Sequence, residues 1–278
     1  VTSNPSHSPA LYALGNTDDE HGRLARQAER FGPLTERLFR DAGVGTGMRV
    51  LELGSGAGDV AMLVARLVGP SGEVVGVERD ARSIVRARSR IAEANLRNVK
   101  FTESDVSQIE GEELFDAVVG RFILQFIPDP RSVLQTLVPL VRPGGIVVFQ
   151  EVSWAPFLAL CSSLPLWHAS VSLAVQAFQG SGASTELGAT LHCIFQDAGL
   201  PAPTMRLEMP MGSDPELARW IADLLRSLRP QIDRLGLSVE KVGNLDTLSE
   251  RLHEEVTAAR MVAGSVGMVG AWSRKRAG

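Results

Sequence analysis

The sequence predicts an α/β protein in which a mostly parallel sheet is wound with helices on both faces. Residues 50–67, VLELGSGAGDVAMLVARL, place a strand with the apolar run of two buried faces, a glycine turn and a helix in immediate succession. From Met48 to Glu151 short β-branched runs alternate with helical patterns, which implies right-handed crossovers and parallel strands. A chain of 278 residues that is 44% apolar can bury one large α/β core and carry an added lobe.

The elements follow in order. Residues 1–10, rich in Ser and Pro, are expected to be disordered or draped over the surface. Asp18 to Ala42 is helical in pattern, with Leu24, Ala28, Phe31, Leu34, Leu38 and Phe39 recurring at helical intervals and Gly32 with Pro33 expected to interrupt it. After the glycine turn, residues 72–80, GEVVGVERD, read as a second strand ending in Glu78, and residues 98–109 as a third followed by Asp105. Residues 115–130 supply a fourth strand, and residues 137–151 a helix, a Pro-Gly-Gly turn and a fifth strand. Phe195 to Gly212 holds a helix end and a sixth strand, and Ser265 to Arg274 alternates Val266, Met268 and Trp272 as a last one.

Two segments extend this core. Ser153 to Gly182 carries Trp154, Phe157, Trp167 and Phe178 beyond the fifth strand, whose carboxyl end faces the ligand crevice of an open α/β sheet. Asp214 to Arg260 is expected to form two helices: Asp214 as N-cap with Pro215 at N1 starts one, and a Thr247/Glu250 capping box starts the other. Their stripes, Leu217, Ile221, Leu224, Leu228 and Leu248, Leu252, Val256, either pack on each other and the core or form an apolar wall for a ligand. Apolar insertion helices can also pair across a two-fold axis, the sole ground for entertaining a homodimer.

Composition narrows the function. A net charge of −4 argues against a broad basic face and a nucleic-acid partner. Two cysteines, Cys161 and Cys193, are too few for a disulfide framework or a four-ligand zinc site. They are expected to be reduced thiols in a cytoplasmic protein. No apolar run reaches transmembrane length, and residues 1–10 lack the apolar core of a signal peptide.

The turn itself reads ExGxGxG, from Glu52 through Gly54 and Gly56 to Gly58. Glycines at alternate positions let the backbone turn sharply and a ligand approach closely, while the next helix offers unpaired N–H groups. A dinucleotide fingerprint requires a third glycine where Asp59 stands. A tight βα turn without ligand is the plain structural alternative.

The pattern resembles the class I S-adenosylmethionine-dependent methyltransferases, most nearly the metal-independent small-molecule enzymes of quinone-biosynthesis or natural-product type. The resemblance spans residues 45–151 firmly and 184–212 and 265–274 loosely. It implies a doubly wound, seven-stranded sheet of order 3-2-1-4-5-7-6, the seventh strand antiparallel, with helical lid insertions at about 153–182 and 214–260. Residues 1–44 would be an N-terminal helical cover and 45–278 the methyltransferase domain. The tetrad of amino-group DNA methyltransferases is missing after the fourth strand, where Gly120, Arg121 and Phe122 stand. The Asp and Asn magnesium ligands of catechol-type relatives are replaced by Arg121 and Gln150 or Glu151, and arsenite-methylating relatives use more than two cysteines. No metal is therefore expected.

The resemblance also implies roles. S-adenosylmethionine would be held by Glu52, Gly54, Ser55, Gly56 and Gly58, with the loop backbone on its methionine portion. Glu78, with Arg79 beside it, would take the ribose hydroxyls, although Glu78 also suits an ordinary helix N-terminal acid. Asp105 would receive the adenine amino group and the Val106 amide a ring nitrogen; Asp105 alone could equally be an N-cap. Arg121, Tyr12 and Gln27 are candidate contacts at the cleft rim and lid, and Phe122, Trp154 and Trp167 candidates for the acceptor. A base is needed only for an acceptor that still carries its proton. His168, His192 and Glu151 are the candidates, each with a structural reading beside it: solvated helix faces for the histidines, a turn cap for Glu151. His7, His21 and His253 are assigned to solvated faces. The expected function is methyl transfer to O, N or C of a small, fairly hydrophobic metabolite. A non-catalytic S-adenosyl-ligand-binding protein is the alternative, and an NAD-dependent oxidoreductase the remote one, since no Tyr-x-x-x-Lys pair surrounds Tyr12.

Overall fold

The computed structural model describes residues 18–109, 111 and 114–277. Helix α1 (Asp18–Ala42) is followed by β1 (Arg49–Leu53), α2 (Asp59–Val68), β2 (Glu73–Glu78), α3 (Ala81–Glu93), β3 (Val99–Glu103), β4 (Phe115–Arg121), α4 (Pro130–Leu137) and β5 (Val141–Ser153). Next come α5 (Ala155–Leu160), α6 (Pro165–Gly180), α7 (Leu187–Asp197), β6 (Thr204–Glu208) and β7 (Met211–Gly212). The chain then forms α8 (Pro215–Ser227), α9 (Arg229–Arg234), α10 (Leu248–Ala259), β8 (Ala263–Gly264) and β9 (Gly267–Arg274).

Seven strands form one sheet of order β3-β2-β1-β4-β5-β9-β6, the expected arrangement with β9 in the seventh place. Strands β1 to β5 run parallel and β9 runs antiparallel to both β5 and β6. The central strands are buried on both faces because helices cover each side. Leu51, Leu53, Val118, Val147 and Phe149 face α4 and α7, while Val50, Val74, Ala117, Val119 and Val148 face α1, α2 and α3. A third buried cluster, centred on Trp154, Phe157, Trp167 and Trp220, joins the insertions to α1. The strand order reverses between β1 and β4, so their carboxyl ends open a crevice there.

Four local expectations are corrected. Helix α1 runs unbroken through Pro33; the buried Phe31, Leu38 and Phe39 hold it on the sheet, and this packing outweighs an interior proline's penalty of about 3 kcal/mol. Pro143, Gly144 and Gly145 lie inside β5 as a bulge, since Val141 pairs with Phe115 and Ile146 with Ala117. The second insertion holds three helices, because Arg229 and Pro230 restart a short one after α8. Asp214 caps α8 through the Leu217 amide, but Thr247 makes no side-chain cap at α10. Its hydroxyl instead accepts from Arg251 Nε.

The insertion lobe is tied down by carboxylates reaching across the chain. Glu186 accepts the Trp154 and Ala155 amides at the start of α5, at 2.9 and 2.8 Å. Glu255 on α10 accepts the Leu166 and Trp167 amides at the start of α6, at 2.9 and 3.0 Å. Each negative charge meets two N–H groups at a helix start and the positive end of a helix dipole; the Trp154 amide is shared with the Thr185 carbonyl.

Candidate active site

The loop from Gly54 to Gly58 closes over the carboxyl end of β1. The Gly54 and Ser55 amides donate to the Val77 carbonyl at 2.9 and 3.1 Å, which seats the loop on β2. Gly54 has a φ of +66°, and a Cβ there would stand 2.5 Å from Ile123 Cδ1. Gly56 also has positive φ, +49°, yet a Cβ there would meet no atom within 4 Å. The loop is thus packed shut at Gly54 and open at Gly56, where a ligand could rest on the backbone.

Two carboxylates flank this opening. Glu78 Oε2 accepts the Gly56 amide at 2.9 Å, and its Oε1 accepts the Arg79 and Asp80 amides, each at 2.9 Å. A carboxylate has about four acceptor positions, so capacity remains for a ligand hydroxyl. Asp105 caps the turn Val106–Gln108 through Ser107, whose amide and hydroxyl both donate to Oδ1 at 2.8 and 2.6 Å. Those bonds hold its carboxyl below the usual range, with the Arg79 charge a smaller cause. The Arg79 side chain is exposed and Val106 is half-buried.

Beneath the loop lies a buried charged network. Glu52 is 1% exposed, and its Oε2 accepts the Ser55 hydroxyl, so that side chain turns toward the strand. Burial pushes the Glu52 carboxyl up to about 8, against the opposing pull of Ser55 and Arg121. Arg121, at the end of β4, is lowered by the same desolvation and supported by the charges of Asp59 and Glu52. Its Nη1 donates to Thr35 Oγ1 at 3.2 Å, and the Thr35 hydroxyl lies 2.7 Å from Gln150 Oε1, to which it donates. One α1 side chain therefore joins the ends of β4 and β5. Phe122 follows with φ +56°, its amide on the Gln150 carbonyl and its ring edge-on to Phe31 at 6.0 Å.

The remaining candidates are distributed differently. Gln27 on α1 accepts from the buried Arg23 at 2.7 Å; Tyr12 lies outside the described residues. Trp154 is buried in the aromatic cluster. Trp167 is 1% exposed and its indole N–H donates to the Leu252 carbonyl at 2.9 Å, so it holds α6 to α10. The buried Glu151 carboxyl accepts the Ile123, Leu124 and Gln125 amides at 3.1, 2.9 and 3.4 Å, the contacts of a turn cap. It caps the turn that follows β4. His168 and His192 stand on exposed faces of α6 and α7, outside the buried network.

Sequence reasoning did not pick out Thr35, Arg23 or Trp220. Thr35 alone carried a signal, a polar residue within the apolar stripe of Phe31, Leu34 and Leu38.

A glycine loop at the switch point of a seven-stranded sheet with an antiparallel β9 defines the architecture of methyltransferases. A family model described as a methyltransferase domain matches residues 45–199, and the chain belongs to that family. An arsenite methyltransferase of Halobacterium salinarum is 33% identical over 118 residues, 42% of this chain and 30% of that protein. The ubiquinone/menaquinone biosynthesis C-methyltransferase UbiE of Coxiella burnetii is 34% identical over 110 residues, 39% of this chain and 44% of that protein. The chain thus spans less than half the length of these curated relatives. Among solved structures, a putative methyltransferase from Bacillus halodurans shares the fold with a TM-score of 0.57 at 17% identity, covering 86% of this chain and 97% of that one. The YcgJ protein of Bacillus subtilis does so at 0.55 and 14%, covering 93% and 100%.

Proposed function

We propose that this domain transfers a methyl group from S-adenosylmethionine to oxygen, nitrogen or carbon of a small, fairly hydrophobic molecule. The observation that carries the reading is the opening above Gly56, bordered by the Glu78 carboxylate at the switch point of the sheet. The residues fit the cofactor: the Gly54–Gly58 backbone for its methionine portion, Glu78 for the ribose, Asp105 and the Val106 amide for adenine. Bound there, the sulfonium supplies an activated methyl group.

The protein's own task is then to hold the acceptor in line and keep water out. Holding two reactants in line can contribute roughly 7 to 11 kcal/mol. Helix α1 covers the crevice, and Thr35 fixes it to Arg121 and Gln150. The buried network supplies no histidine, and Glu151 is occupied by three amides. This supports an acceptor that arrives deprotonated or as a free amine, which needs no base.

Calorimetric titration with S-adenosylhomocysteine and, separately, NADH tests the reading. Binding of the first alone, weakened about tenfold or more by Glu78→Ala, is the expected result. A folded sample that ignores S-adenosylhomocysteine overturns it. Tight binding without turnover across an acceptor panel favours a binding protein instead.

A further inference from the structure

We propose that β6, the outer strand of the sheet, is a dimerisation edge that pairs antiparallel with β6 of a second copy of this chain. The strand Thr204–Glu208 pairs with β9 on one side and ends the sheet on the other. Its outer N–H and C=O groups are therefore a template for another strand. Five of the seven large apolar residues exposed among the described residues gather here: Met205 and Leu207 on β6, Met211 on β7, and Met261 and Val262 just ahead of β8, which pairs with β7. Apolar residues scattered singly on a surface are ordinary, whereas a cluster beside a free strand edge marks an interaction surface.

Edges are commonly protected by charged side chains that discourage docking. On β6 both charges are neutralised from within the chain, Arg206 by Asp41 of α1 at 2.6 Å and Glu208 by Arg37 of α1. Met205 and Leu207 lie on the opposite face, beside their buried β9 partners Ala271 and Val269.

The register identifies the occupant. Two antiparallel copies of one strand meet about a two-fold axis, and directly opposed residues share a face of the joined sheet. An axis between two residues would put the apolar residues of one copy on the same face as the charged residues of the other. An axis at Arg206 would oppose two like charges, which is destabilising. An axis at Met205 would set Leu207 against the partner's Pro203, which lacks an N–H. An axis at Leu207 sets Leu207 against the partner's Leu207, Met205 against the partner's Met209, and Arg206 against the partner's Glu208, the last two twice over. The charged pairs then extend the α1 pairs into a row of alternating sign. Being partly exposed, they fix register more than they add affinity. This self-complementarity selects a second copy, and one sheet would run through both. The crevice between β1 and β4 lies away from this edge, so pairing there is independent of what the crevice binds.

A five-residue strand with a flanking patch is a small contact, and a reversible dimer with Kd of about 10 μM is expected. Sedimentation velocity of the full chain over roughly 1 to 200 μM should show monomer passing to dimer. Leu207→Lys, which sets two ammonium groups against each other on the axis, should weaken the dimer about tenfold or more. Leu207 is 52% exposed, so this variant should keep its fold, as checked by circular dichroism. Single cysteines read the register in a Cys193→Ser background, since Cys193 is exposed and Cys161 buried. Opposed Cβ atoms of an antiparallel pair lie near disulfide reach. Leu207→Cys should therefore cross-link two copies under copper-phenanthroline much faster than Met205→Cys. A chain that stays monomeric at every concentration overturns the proposal, as does a dimer undiminished in folded Leu207→Lys, whose interface would lie elsewhere. Cross-linking of Leu207→Cys no faster than that of Met205→Cys overturns it too, and if the lysine variant does not fold, the cysteine pair decides.

Discussion

The Glu151 carboxylate accepts the Leu124 amide at 2.9 Å and so binds the end of β5 to the turn after β4. The same group takes the Ile123 and Gln125 amides, and the side chain is fully buried. Glu151→Ala would leave three amides unmet in the protein interior. A loss of about 2 to 4 kcal/mol in urea unfolding is expected, with a smaller loss for Glu151→Gln, which keeps one acceptor oxygen. A neutral outcome for the alanine variant would show that the carboxylate does not cap this turn.

Burial pushes both Glu151 and Glu52 up to about 8, far above the ordinary carboxylate range. Between that range and pH 8 the folded protein holds protons that the unfolded chain releases. The contribution of these groups is therefore complete at acid pH and is lost as pH rises through the folded value. Glu73, Asp80, Asp105 and Asp129 are shifted downward and act at lower pH, outside this window. Unfolding free energy measured from pH 5.5 to 8.5 should fall with pH. Glu52→Gln and Glu151→Gln should each flatten the slope, and a slope that rises in the wild type would refute both assignments.

Gly56 and Gly54 separate ligand binding from folding. Both need positive φ, which costs an alanine roughly 1 to 2 kcal/mol. At Gly54 the new methyl also collides with Ile123, whereas at Gly56 it projects into open space. Gly56→Ala should therefore stay folded and lose S-adenosylhomocysteine affinity by tenfold or more. Gly54→Ala should be the less stable of the two by thermal unfolding. Unchanged ligand affinity in the Gly56 variant would remove the loop from the site.

Asp223 receives Arg26 from α1 and Arg226 from its own helix. Because Arg26 is nearly half exposed, solvent screening leaves this pair worth little for global stability, of order 1 kcal/mol or less. Its local effect is expected to be larger. Asp223→Ala should speed amide hydrogen exchange within 18–42 while exchange in β1, β4 and β5 stays slow, and added salt should act in the same direction. Equal exchange rates in α1 of both proteins would exclude this contact as the latch.

What could be read from the sequence alone is what neighbouring residues encode. The strand, glycine turn and helix of residues 50–67 are written in apolar spacing, and the Asp214-Pro215 start of α8 in two adjacent side chains. The order of the sheet came through because successive strand and helix patterns admit few right-handed arrangements. The relationships that shape the crevice are of another kind. Thr35 reaches Gln150 across 115 positions, Glu255 reaches Trp167 across 88, and Glu151 finds its amides 26 to 28 positions back. Pro33 shows the same limit from the opposite side, since a local breaker was overruled by packing. No spacing rule encodes such pairs: their distance is set only when parallel register and helix docking bring the strand ends, α1 and the insertions to one place. The sequence determined the family's glycine loop and its acids, because their chemistry is contiguous; the tertiary structure decided which buried carboxylates cap turns and which apolar residues of β6 are left at a free sheet edge, because burial and hydrogen bonding there depend on residues far apart in the chain.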